Sequence, residues 1–118
     1  MATHASRSLE PRAPDLLEET VGVYLALLSL EEAEAVGGEV PPQAHRVLVV
    51  RMARRLAAEI ALLARLAESR GRAPEQLSFL VSLEHSLLLL LEHEAEVAEL
   101  PLLSADEVRE QWRTLARA

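Results

Sequence analysis

Four histidines, His4, His45, His85 and His93, stand in a chain with 19 acidic side chains and no cysteine. Imidazole and carboxylate together are the raw material of acid–base sites and of oxygen/nitrogen metal sites. Thiolate nucleophiles, thiolate metal centres and disulfides are excluded. In the stretch SLEHSLLLLLEHEAEV, Ser82 and Ser86 flank His85. An activated serine needs a base within hydrogen-bond reach, a third group to orient that base, and donors for the oxyanion. No strand-to-helix elbow or glycine-rich turn accompanies these serines, and the sequence holds no phosphate loop, dinucleotide fingerprint or zinc spacing. A di-iron helical bundle would require Glu-x-x-His on facing helices, yet no glutamate here precedes a histidine by three, and His93 to Glu96 has the reverse order. Glu31-Glu32 likewise lacks the following acidic pattern of the MazG-type pyrophosphohydrolases. No catalytic residue, cofactor or metal is assigned.

One juxtaposition keeps an acidic site in view. If the long helices run up, down and up, the ends of the first and third share one end of the bundle with the start of the second. Glu31, Glu32, Glu34, Glu92, Glu94, Glu96, Glu99, His45 and His93 then gather there. Carboxylates at helix C-termini oppose the helix dipole, so a cation is expected beside them. Arg46, a divalent metal or a partner protein would serve. A helical-bundle enzyme or metal binder built on this end is the third functional reading.

All twelve basic residues are arginine, and they are unevenly placed. Residues 1–45 carry eight acids and two arginines, residues 46–72 two acids and seven arginines, and residues 73–118 nine acids and three arginines, giving balances of −6, +5 and −6. A basic middle helix between acidic neighbours is expected to pair Arg46, Arg51, Arg54, Arg55 and Arg65 with their carboxylates. A second reading uses Arg51, Arg54 and Arg65, which share the outer face of that helix, as phosphate contacts in a nucleic-acid-associated subunit. Against it stand the acidic remainder of the chain and the lack of an aromatic platform beside the arginines.

The elements that position these groups are helices. Half of the 118 residues are apolar but only Tyr24, Phe79 and Trp112 are aromatic, so the core is aliphatic. Asp15 with Glu18 matches a capping box that starts the first helix, and Gly37-Gly38 ends it. Pro41-Pro42 leads into a second helix that Gly71 stops after Arg70. Pro74 opens a third, extending to Leu100 before Pro101. Ser104 with Glu107 forms another capping box for a short fourth helix whose stripe is Val108, Trp112 and Leu115. On the second helix Val49, Met52, Leu56, Ile60, Leu63 and Ala67 form the clearest core seam. On the third, Phe79, Leu80, Leu83, Leu87, Leu90 and Val97 share a side. The first helix turns Leu17, Val21, Tyr24 and Leu28 to the core.

These elements predict an all-α fold: an antiparallel bundle of three long helices with a short C-terminal fourth, joined by connections too short for a crossover. Residues 1–14 are expected to be a disordered tail and residues 15–118 a single domain. No apolar run reaches the roughly 20 residues of a transmembrane segment, and the amino terminus lacks the apolar stretch of a secretory signal. A cytoplasmic location is expected.

Apolar surface is in excess. Leu77, Leu88 and Leu91 widen the third helix's apolar arc beyond the stripe of about 100° that one buried face requires. On the first helix Gly22, Ala26, Ser29 and Ala33 form a small-residue face flanked by Val23 and Leu30. Surfaces of this kind mark interaction sites, with Leu30 and Trp112 counted among them, although Trp112 would equally serve as the plug of the core. The leading expectation is therefore a homo-oligomeric protein-interaction module, dimerising into a larger bundle and docking to a protein partner, unless the fourth helix covers the excess within one chain. A pocket for a small apolar ligand between helices is equally compatible with this composition.

Overall fold

In a computed structural model the chain is described over residues 13–35, 37, 42–71, 76–92 and 97–117. Of the expected tail over residues 1–14, residues 1–12 lie outside the described residues, as do Gly38, Pro41, Pro74, His93, Glu94 and Glu96, while residues 13 and 14 belong to the first helix. Three long helices, α1 (Ala13–Ala35), α2 (Gln43–Arg70) and α3 (Leu77–Glu92), pack on one another in the expected antiparallel bundle. A 3₁₀ turn, Val97–Glu99, precedes α4 (Ala105–Arg117). The described residues form no strand, and none of their helices is long and apolar enough to cross a membrane.

Helix ends follow local chemistry where that chemistry is unambiguous. Pro42 precedes α2, and Gly71 ends it in the left-handed region at φ 68°, its N–H donating to the Ala67 and Glu68 carbonyls. Only glycine adopts that conformation without a Cβ penalty. At α4 the capping box is complete: the Glu107 N–H donates to Ser104 Oγ at 3.1 Å and the Ser104 N–H to Glu107 Oε1 at 3.4 Å. Two ends differ from expectation. α1 begins at Ala13, which places Asp15 inside the first turn, where its charge favours the positive end of the dipole. α3 is described to Glu92, and Val97–Glu99, expected to continue it to Leu100, form a 3₁₀ turn instead.

The core is aliphatic and wider than the periodic seams indicate. Leu17, Val21, Tyr24 and Leu28 are buried on α1, but so are Leu16, Val23, Leu27 and Leu30. Val23 and Leu30 therefore do not flank an open interface; Leu30, expected at an intermolecular contact, is 4% exposed within the chain's own core. The reason lies in the flank they share. Glu19 and Glu34 lie on the same side of α1 as Val23 and Leu30, and both bond arginines of α2, so that side faces α2. On α2, Ala53 and Ala57 are buried while Met52 is half-buried, because close approach of neighbouring helices favours the small side chains. Val108, wholly buried, is the plug that α4 supplies; Trp112, one turn on, remains 37% exposed.

Candidate interaction surface

The two flanks of α3 are built differently. Towards α4, an open cleft of about 460 Å³ is lined by Ser78, Phe79, Ser82, Leu103, Glu107, Glu110, Gln111, Thr114 and Leu115. Its hydroxyls are occupied: Ser82 Oγ donates to the Ser78 carbonyl at 3.1 Å and Thr114 Oγ1 to the Glu110 carbonyl at 3.0 Å. Beneath it the connection into α4 is tied down. Tyr24 Oη donates to the Leu103 carbonyl at 2.5 Å, and the Leu103 N–H donates to Ser86 Oγ at 3.4 Å. Burial, reinforced by the negative charges of Glu107 and Glu32, raises the Tyr24 hydroxyl above its usual 10 against the opposing hydrogen bond from Ser86. It therefore stays protonated and donating through the neutral range. Ser86, which sequence placed beside His85 as a nucleophile to be weighed, is buried in this knot, whereas His85 is exposed.

Towards α2 the floor is apolar and the rim is charged. A groove of about 320 Å³ runs between Ala57, Ala58 and Ala61 on α2 and Leu88 and Leu91 on α3, with Arg54, Glu84 and Glu92 at its edges. Leu88 is 39% exposed, and Val81 two turns earlier is equally open. Glu84 is held above its ordinary carboxylate range by desolvation, against the favourable charge of the adjacent His85. Among the described residues no carboxylate lies in ion-pair range of Arg51, Arg54 or Arg65, and all three are exposed. Of the five arginines of α2 expected to pair with carboxylates, the structure pairs two. Arg46 and Arg55 meet carboxylates on α1, and the other three face outward.

At the acidic end, Arg46 is one of the cations expected beside the carboxylates. Its Nη2 lies 2.6 Å from Glu31 and its Nη1 2.7 Å from Glu34, so one guanidinium bridges two carboxylates in the last turns of α1, where a cation favours the dipole. Glu31 is 7% exposed. No group of three imidazole or carboxylate side chains among the described residues is placed to hold a metal ion. Arg55 bridges Glu19 of α1 and Glu59 of its own helix.

The remaining interface residues named from sequence are spread over the molecule. Gly22 and Ser29 are exposed and Ala26 and Ala33 half-buried on the back of α1; a Cβ added at Gly22 would meet nothing within 4 Å. Leu77 and Leu91 are half-buried against the core edge. The structure brings together only Leu88, Leu91 and Arg54, in the α2–α3 groove. Sequence reasoning missed the alanines opposite them, although Ala57, Ala58 and Ala61 on one side of α2 were the available signal. No family model, curated protein or solved structure matches this chain.

Proposed function

We propose that the chain is a small protein-interaction module of the cytoplasm, homo-oligomeric, which works as an adaptor, regulator or assembly factor by docking to another macromolecule rather than by chemistry of its own. The observation that carries this reading is the α2–α3 groove. Leu88 projects beside three alanines and Arg54, and Arg54, like Arg51 and Arg65 elsewhere on α2, has no ion-pair partner among the described residues. An open apolar floor with a charged rim has the anatomy of an interface, in which the floor contributes affinity and the rim orientation.

Site-specific crosslinking from position 88 in the native host tests the reading. A defined crosslinked species that Ala58→Glu in the groove floor abolishes and Trp112→Ala preserves is the expected result; no crosslinked species from the groove would refute it. A second reading rests on the same three outward arginines, which are spaced to contact phosphate. It predicts a gel shift with single-stranded or duplex nucleic acid that weakens steeply with salt and is lost on replacing Arg51, Arg54 and Arg65 by alanine. No shift at low salt would remove it.

A further inference from the structure

The α2–α3 groove carries both halves of its own complement. On α2, Ala58 and Ala61 leave a depression beside Arg54; on α3, Leu88 stands opposite them beside Glu84 and Glu92. The helices run antiparallel, so the groove places Arg54 level with Glu92 and the alanines level with Leu88 and Glu84. Only one kind of two-fold contact uses this arrangement. An axis lying in the plane of contact and parallel to the helices carries α2 of one copy over α3 of the other without changing height. Each level then meets its opposite: arginine faces carboxylate and leucine faces alanine. An in-plane axis perpendicular to the helices would instead set arginine helix on arginine helix, which like-charge repulsion opposes.

The geometry points to a homodimer in which the α2–α3 faces of two copies pack about a two-fold axis parallel to those helices, with Leu88 seated over the partner's Ala58 and Ala61, and Arg54 paired with the partner's Glu92. This assignment rests on the docking reading of the groove and names its occupant as a second copy of the chain. Closed two-fold contacts are self-complementary by construction, so one surface must present both a feature and its receptor. Here the protruding leucine and the alanine depression supply the shape, and the arginine and glutamate rims supply the register. The Arg54–Glu92 contact occurs twice, once on each side of the axis, which doubles the effect of any change in sign. The other uses of charge on α2 do not compete, since Arg46 and Arg55 are already engaged with α1.

Light scattering across a concentration series tests the proposal on the full chain. The wild type is expected at twice the 13.0 kDa chain mass. Arg54→Glu and Glu92→Arg should each weaken association by about tenfold or more, because each creates two like-charge contacts per dimer. An equimolar mixture of the two variants should regain the dimer, since each supplies the charge that the other lacks. Unchanged helicity and melting of the separate variants, both at exposed positions, excludes misfolding as the cause. A monomeric wild type, a dimer indifferent to both substitutions, or a mixture that fails to recover would overturn the assignment. A wild-type monomer that still crosslinks from position 88 to a host protein would overturn the homodimer alone and leave the docking reading intact; no crosslink from position 88 would remove both.

Discussion

The cleft that α3 lines towards α4 and the groove it lines towards α2 are built differently, and the contrast shows how a small bundle separates holding itself together from leaving a surface open. On the α4 side the hydroxyls and the connection into α4 have partners within the chain: Tyr24 and Ser86 grip the backbone of Leu103, the capping box closes the start of α4, and Ser82 and Thr114 bond back to their own helices. On the α2 side Arg54 and Glu92 border the same groove without forming an ion pair, and Leu88 rises between them. Comparable concavity therefore carries different meaning. Satisfied polar groups lower the tendency of a surface to bind anything further, whereas unsatisfied charge around an apolar floor raises it.

The largest effect expected from breaking this contrast lies on the α4 flank. Tyr24→Phe removes the donor to the Leu103 carbonyl while keeping the ring, and should lower stability by roughly 1–2 kcal/mol. Denaturant titration reads this directly, with faster amide exchange around residues 100–104 than elsewhere. A change that left both unaltered would mean that α4 is held by Val108 alone. A smaller effect of opposite sign is expected on the back of α1, which belongs to neither flank. Gly22 sits mid-helix with open space around its Cα, so Gly22→Ala should raise stability by about 0.5–1 kcal/mol. If a second helix instead packs there in solution, the same change would weaken association, and light scattering separates the two outcomes.

The smallest effect is a matter of pH on the α2 flank. Desolvation raises the Glu84 carboxyl above its ordinary value of 4.5, so the folded chain binds this proton more tightly than the unfolded chain does. Stability from the site is present below that value and lost as pH rises through the raised one. Glu84→Gln should therefore stabilise the monomeric chain at neutral pH, with the gain vanishing below about pH 4. In the homodimer the carboxylate lies against an arginine-bearing helix, and the gain at neutral pH should shrink or reverse as concentration rises. Urea melts at two protein concentrations and two pH values would show which holds.

Much of the fold was legible because its signals are local. Gly71 needs a left-handed conformation, Pro42 cannot sit in a helix interior, and Ser104 with Glu107 closes reciprocal bonds three residues apart; each works whatever packs nearby. The interaction surface was legible only in fragments. Leu88 and Leu91 stand out in a leucine run too broad for one seam, and Arg51, Arg54 and Arg65 share a helical face. The meeting of Leu88, Leu91 and Arg54 in one groove with Ala57, Ala58 and Ala61 depends on how α2 and α3 are aligned, which periodicity within either helix does not encode. Leu30 and Trp112 show the same limit in reverse. Periodicity placed Leu30 outward and let Trp112 serve as plug, while packing buried the leucine and used Val108 in place of the tryptophan.

The sequence by itself determined that this chain forms helices, where most of them begin and end, and that its apolar content exceeds what one seam per helix would bury. Those properties follow from backbone conformation and hydrogen bonds spanning a few residues. Tertiary structure alone decided that Arg46 would bridge Glu31 and Glu34, that Tyr24 would reach across to Leu103, and that the leucines of α3 would be divided between a closed flank and an open one. These outcomes depend on the rotation and height of each helix relative to its neighbours, and those are set by the fit of whole faces rather than by any residue's own preference.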